Sequence, residues 1–114
     1  MIAHVVLFRP KPSLSDDERA AFVAALDEAL HHIPRISRAR VGRRSVMGRT
    51  YDAHNPQEFP FMALLEFETK ADLVAYLDHP AHRTLGEQFY TAAEAALALD
   101  FELLDRTETQ ALLR

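Results

Sequence analysis

Residues 2–8 read Ile-Ala-His-Val-Val-Leu-Phe, and they constrain the architecture of the chain more than any other segment. The segment is apolar and rich in β-forming residues, and Pro10 and Pro12 end it, so it predicts a strand. Successive side chains of a strand point to opposite faces. Both faces are apolar here, with His4 as the one polar residue, so the sheet that contains this strand needs cover on both sides.

Helices and further strands follow this segment in a regular order. Ser15 and Glu18 form a capping-box pattern, which predicts the start of a helix. Asn55 and Pro56 are the turn signal of a polar loop at 48–58, between the second and third strands. The predicted elements are strands at 2–8, 36–47, 59–68 and 100–105, a helix from Ser15 to Pro34, a short helix after Thr69, and a longer helix at 81–97.

The order β-α-β-β-α-β predicts an α+β domain of the ferredoxin-like type, with both crossover helices on one face of the sheet. The first and third strands are apolar on both sides, and no further predicted element covers the second face. We therefore expect two copies of the chain to pack face to face, as a homodimer that encloses a dimeric α+β barrel. The single domain is predicted at residues 1–105, with 106–114 as a C-terminal tail.

The composition excludes several classes of function. Thirteen Lys and Arg against seventeen Asp and Glu give a net charge of −4, which argues against a nucleic-acid partner. The absence of cysteine excludes disulfides, thiolate nucleophiles and cysteine-ligated zinc. No apolar run approaches the ~20 residues of a membrane span, so no membrane partner is expected. The N-terminus lacks the pattern of a cleaved leader, which predicts a cytoplasmic location.

The most distinctive motif is Tyr-Leu-Asp-His-Pro-Ala-His at residues 76–82. Together with the first strand, the capped first helix and the strand segments at 41–42, 65–68 and 100–101, it resembles the stress-responsive A/B barrel family, known as Dabb. The resemblance covers residues 2–104. It implies a ferredoxin-like subunit that forms a dimeric α+β barrel, in agreement with the argument from the strands.

The resemblance also implies roles for individual residues. A plant polyketide cyclase of this family carries its catalytic tyrosine and histidine in the same motif, at positions that match Tyr76 and His82, and its pocket histidine matches His4. By this resemblance, His82 is the general base that removes an acidic C–H proton, and Tyr76 hydrogen-bonds the developing enolate. The implied reaction is an aldol-type, lyase-class cyclisation without a cofactor. Val6, Phe8 and His79 are predicted to complete a pocket for a small apolar ligand.

The same residues also have structural interpretations. His79 precedes Pro80, and such a residue is predicted to hold the backbone at a helix entry. Tyr76, His82 and His4 are equally compatible with packed interior side chains whose polar atoms are satisfied. The spacing of His79 and His82 is that of a two-histidine metal motif, but Pro80 disrupts regular helix geometry there, so we predict no metal site.

A basic segment lies in the middle of the chain, because residues 35–49 contain six arginines and no acidic residue. Arg40, Arg43 and Arg44 are predicted to contact an anionic ligand, such as a carboxylate, phosphate or thioester, at the mouth of the pocket. The alternative is a solvated strand and loop that balance the acidic remainder of the chain.

Three classes of function follow from these observations. The first is a cofactor-independent enzyme that acts on a small enolisable or aromatic substrate. The second is a non-catalytic small-molecule-binding or stress-associated dimer. The third is a monooxygenase of the dimeric α+β barrel class, which ranks last because the chain has no tryptophan and no evident set of haem ligands. Analogy of fold does not choose among the three.

Overall fold

The computed structural model describes residues 1–55 and 58–114. The turn predicted at Asn55 and Pro56 extends beyond the described residues. No helix within the described ranges has the length and apolar character needed to cross a membrane. The elements are β1 (Ile2–Pro10), α1 (Asp16–His32), β2 (Arg38–Arg43), α2 (Thr50–Ala53), β3 (Phe61–Phe67), α3 (Lys70–Asp78), α4 (Pro80–Ala92), β4 (Ala93–Glu102) and a 3₁₀ helix (Arg106–Ala111).

The strands form one four-stranded antiparallel sheet in the order β2-β3-β1-β4. The central strand β1 pairs on both sides, so that Val5 lies opposite Leu64 of β3 and opposite Leu99 of β4. The helices α1, α3 and α4 contribute buried or packed residues to one side of this sheet. This arrangement confirms the predicted ferredoxin-like fold.

The junction between the last helix and the last strand differs from the prediction. The helix expected at 81–97 ends at Ala92, and the strand expected from residue 100 begins at Ala93 and ends at Glu102. The alanine-rich segment has high intrinsic helix propensity. However, it pairs with β1 along its length, for example between Leu97 and Leu7, and its backbone finds hydrogen-bond partners in the sheet. Tertiary pairing therefore overrides local propensity, as it often does for strands.

The second strand is also shorter than predicted. It spans Arg38–Arg43 instead of 36–47, and it is an edge strand that pairs with β3 alone. The Arg44 N–H still donates to the Pro60 carbonyl at 2.8 Å, and the chain then leaves the sheet. The polar loop that follows contains the one-turn helix α2, where Asp52 accepts a hydrogen bond from the Arg49 N–H at 3.0 Å.

The two faces of the sheet have different surroundings. The face under the helices holds the core, in which Leu65 and Phe67 are fully buried. The opposite face is apolar on β1 and β4, has no cover within the described part of the chain, and we call it the open sheet face. Its β4 side chains, Leu97, Leu99 and Phe101, are 42%, 42% and 48% exposed. The apolar side chains of the open sheet face are Val5, Leu7, Met62, Leu64, Leu97, Leu99 and Phe101, and towards the β2 edge the face also carries Arg38, Arg40 and Glu66.

The predicted capping box of α1 is present, and its removal is expected to weaken the fold. The Glu18 N–H donates to Ser15 Oγ at 3.1 Å, and the Ser15 N–H donates to Glu18 Oε1 at 2.9 Å. We expect Ser15→Ala to lower the free energy of unfolding by about 1 kcal/mol, because the Glu18 N–H loses its acceptor. Urea unfolding measures this change. Ser45→Ala, in an exposed loop, is the control, and an equal change in both variants would contradict the prediction.

Candidate functional site

Three aromatic side chains from three elements meet under the helices. They are His4 of β1, Tyr76 of α3 and His82 of α4. The ring centroids of Tyr76 and His82 lie 4.8 Å apart, and those of Tyr76 and His4 lie 5.8 Å apart. We call this group the His-Tyr-His cluster. The structure therefore brings together the two residues predicted as catalytic and the predicted pocket histidine.

A break between two helices allows Tyr76 and His82 to meet. The first of these helices, α3, begins at the cap Thr69, whose Oγ1 accepts from the Asp72 N–H at 3.1 Å, and it ends at Asp78. His79 has an extended backbone and caps the next helix, since its Nδ1 accepts from the Ala81 N–H at 3.0 Å. The predicted structural role of His79 at a helix entry is thus observed. This geometry does not test the predicted contact of His79 with a ligand, which stays a prediction.

His4 has a second partner that the sequence did not single out. Its Nδ1 lies 2.6 Å from Oδ1 of Asp100, which stands opposite His4 on β4. An ionised carboxylate only accepts hydrogen bonds, so Nδ1 carries the proton of this bond and the ring orientation is fixed. Residues 4 and 100 meet only through the register of two strands, and nothing in the local sequence around either residue signals this pair.

Burial alters the acid–base properties of the cluster. Tyr76 is 2% exposed, and loss of solvation raises the pKa of its phenol to about 12. Loss of solvation also lowers the pKa of the half-buried His82 below 6.5, and the neighbouring His4 lowers it further. A hydrogen bond to the backbone of Leu77 opposes part of this shift. At neutral pH the phenol is therefore protonated and able to donate a hydrogen bond, and the His82 imidazole is neutral and able to accept a proton.

The lowered pKa of His82 predicts a loss of stability in mild acid. Protonation of His82 is harder in the folded than in the unfolded chain, so stability is fully present above pH 6.5 and falls as the pH drops towards the lowered pKa. We expect the free energy of unfolding of the wild type to fall more steeply between about pH 7.5 and pH 5.5 than that of His82→Gln. Urea titrations of both proteins test this, and parallel profiles would contradict it.

A cavity of about 650 Å³ lies at the other end of the helix-covered face. Phe8, which is predicted to line a pocket, lies in its wall beside Phe22. His4, Val6 and His79 do not belong to its lining. Val6 is half-buried and packs against the cluster of Phe8, Phe22 and Ala92. Of the four predicted pocket residues, Phe8 therefore lines the cavity and His4 belongs to the His-Tyr-His cluster, whereas Val6 and His79 belong to neither.

The structure brings two of the three arginines predicted to contact an anion together, since Arg43 and Arg44 line a smaller pocket of about 290 Å³ beside Asn55 and Phe59. Arg40 pairs with Leu64 and stands on the open sheet face, whereas Arg43 pairs with Phe61 and lines the cavity. Arg44 Nη2 lies 3.5 Å from Oδ1 of Asp52, in an ion pair that holds the α2 loop. Of the three, Arg43 is the one that lines the larger cavity of about 650 Å³. Within residues 1–55 and 58–114, no group of three or more His, Asp or Glu side chains is arranged to hold a metal ion.

The chain matches a known protein family over most of its length. The sequence model described as the stress responsive A/B barrel domain matches residues 2–103. Among curated proteins, none matches the sequence significantly.

Several solved structures share the fold. A dimeric ferredoxin-like protein of unknown function from Jannaschia is 24% identical, with a TM-score of 0.71 over 90% of this chain and 98% of that chain. A Dabb family protein from Mesorhizobium loti is 22% identical, with a TM-score of 0.70 over 91% and 97% of the two chains. A hydroxynitrile lyase from Passiflora edulis is 17% identical, with a TM-score of 0.73 over 91% and 94%. Identities at this level show a common fold.

Proposed function

This chain belongs to the stress-responsive A/B barrel (Dabb) family, and we propose that it is a homodimeric enzyme that uses Tyr76 and His82 for cofactor-independent general acid–base chemistry. The observation that carries the proposal is the His-Tyr-His cluster, with ring centroids 4.8 and 5.8 Å apart. The pKa values of its phenol and of the His82 imidazole are shifted in opposite directions. Titratable groups whose environments separate their pKa values are typical of acid–base sites.

The proposed substrate is a small carbonyl compound with an acidic C–H bond. The neutral His82 ring takes a proton from the carbon beside the carbonyl, and the Tyr76 O–H donates a hydrogen bond to the enolate oxygen that forms. The enolate carbon then attacks a second carbonyl of the same molecule, a C–C bond forms, and the new alkoxide takes the proton back from His82. The reaction is an isomerisation without added reactants, and its reverse cleaves the same C–C bond, as a lyase does.

Asp100 and His4 support this chemistry as positioning residues. The carboxylate of Asp100 is half-exposed and holds the buried His4 ring at 2.6 Å, and that ring packs on Tyr76. A fixed His4 restricts the phenol to one orientation, which favours a hydrogen bond in a defined direction. That a hydroxynitrile lyase from Passiflora edulis has the same fold is consistent with lyase-class chemistry on this scaffold.

The homodimer is proposed through the open sheet face. Leu97, Leu99 and Phe101 expose much of their surface together, and a contiguous apolar patch of this kind typically marks an interface. Structural relatives from Jannaschia and from Bacteroides fragilis are described as dimeric. Two such faces packed together would form the barrel predicted from the sequence.

Proton exchange at carbon tests the chemistry with simple ketones and does not require the physiological substrate. A panel of small aryl methyl ketones, beginning with acetophenone, is incubated in D₂O, and loss of the methyl proton signal is followed by NMR. We expect the wild type to accelerate exchange over buffer, His82→Gln to lose at least tenfold of the acceleration, and Tyr76→Phe to lose about as much.

Two control variants test whether the effect is specific to the His-Tyr-His cluster. His32→Gln and Tyr90→Phe replace the same residue types at exposed positions, and both are expected to keep the wild-type rate. Equal rates in the wild type and His82→Gln would contradict the proposed base. No acceleration for any ketone of the panel would favour a non-catalytic small-molecule-binding dimer instead.

A further inference from the structure

The cavity at the end of the helix-covered face has the features of a ligand site. Its walls are apolar and include Phe8, Phe22, Leu26 and Phe61, from α1 and from two strands. Its volume of about 650 Å³ falls in the range of roughly 300–1,000 Å³ that is usual for pockets that hold small molecules. Its edge at β2 is formed by Val41, Gly42 and Arg43.

Two arginines are the charged members of this lining. Arg19 comes from near the start of α1 and Arg43 from the end of β2, and every other lining residue in the described ranges is apolar or glycine. Arg9, Arg35 and Arg44 each form an ion pair with a carboxylate. Within the described part of the chain, Arg19 and Arg43 form none. The cavity therefore combines apolar walls with two guanidinium groups that have no acidic partner there.

We propose that this cavity binds an amphipathic carboxylate, with its apolar chain or ring against the phenylalanines and its carboxylate at Arg19 and Arg43. The apolar walls supply most of the affinity, because they remove the chain from water. The guanidinium groups favour a negatively charged head group, and their planar donors match the geometry of a carboxylate. A neutral apolar ligand would make no ionic contact with either arginine.

The cavity and the His-Tyr-His cluster are separate sites. None of the three residues of the His-Tyr-His cluster belongs to the lining of the cavity. On β1, His4 and Phe8 are four residues apart on the same face, which is about 13 Å along a strand. Binding in the cavity and proton exchange at the cluster are therefore measured separately, and either one can fail without the other.

The test compares three ten-carbon probes that differ only in their head group. Decanoate, decanol and decylammonium are titrated into the protein and followed by calorimetry and by methyl NMR. We expect decanoate to bind at least tenfold more tightly than decylammonium and more tightly than decanol, and to weaken as NaCl is raised from about 20 to 500 mM. Equal affinities for the anion and the cation, or no binding of decanoate at millimolar concentration, would overturn the proposal.

The position of the ligand is tested on the same samples. Shifts on adding decanoate are expected at the methyl groups of Leu14, Val23 and Leu26. Shifts confined to Leu97 and Leu99 would place the probe on the open sheet face and overturn the proposal.

Charge variants give an independent readout. The double variant Arg19→Gln with Arg43→Gln is expected to weaken decanoate binding at least tenfold while leaving decanol binding unchanged. Arg83→Gln, an exposed cation on α4 outside the lining, is the control and is expected to bind decanoate like the wild type. An unchanged affinity in the double variant would overturn the assignment of the head group.

Discussion

Replacing Leu99 by aspartate is expected to convert the proposed dimer into folded monomers. Leu99 lies on the open sheet face midway along the edge strand β4, opposite Val5, and is 42% exposed in the single chain. A carboxylate there stays solvated in the monomer. In the dimer it would be buried without a partner, which costs about 3–5 kcal/mol, and a symmetric interface contains the substitution twice. The dimer dissociation constant should therefore rise more than ~100-fold.

Light scattering during size-exclusion chromatography at several protein concentrations measures this shift. Val74→Asp is the matched control, because Val74 is 54% exposed on α3, away from the open sheet face. The control is expected to remain dimeric. A wild type that is monomeric at all concentrations, or a Leu99→Asp variant that stays dimeric, would refute the interface. Circular dichroism distinguishes dissociation from unfolding.

Replacing Phe67 by alanine is expected to produce the largest loss of stability. Phe67 is fully buried at the end of β3, and its ring lies 5.4 Å from the ring of Tyr76. Large-to-small changes at such positions typically cost about 3–5 kcal/mol, from lost apolar burial and from the cavity left behind. That is a large part of the roughly 5–15 kcal/mol that stabilises a domain of this size.

The same substitution connects the core to the candidate site. With the Phe67 ring removed, Tyr76 loses one of the aromatic side chains that pack around it, so ketone exchange should fall along with stability. Urea unfolding measures the first effect and NMR exchange the second. Tyr90→Ala, which truncates an 89% exposed aromatic residue, is the control and should change stability by less than about 0.5 kcal/mol. A similar loss in both variants would contradict the assignment of Phe67 to the core.

The local sequence is sufficient where short-range physics controls the outcome. Ser15 and Glu18 form their capping box through atoms three residues apart, and His79 caps α4 through an atom two residues away. The alternation in residues 2–8 likewise determines which face of β1 carries His4. These features depend on backbone geometry within a turn or a strand, which neighbouring residues determine.

No local sequence pattern specifies the pairing between distant segments. The alanine-rich segment after Ala92 favours a helix in isolation, and it becomes β4 because β1 offers a free edge along its whole length. The same register places Asp100 beside His4, 96 residues away, and so adds a residue to the candidate site. Arg19 and Arg43 likewise line one cavity only because the tertiary structure places the start of α1 and the end of β2 around it. Contacts of this kind depend on which strand edges and helix faces pack together, and that is a property of the whole chain.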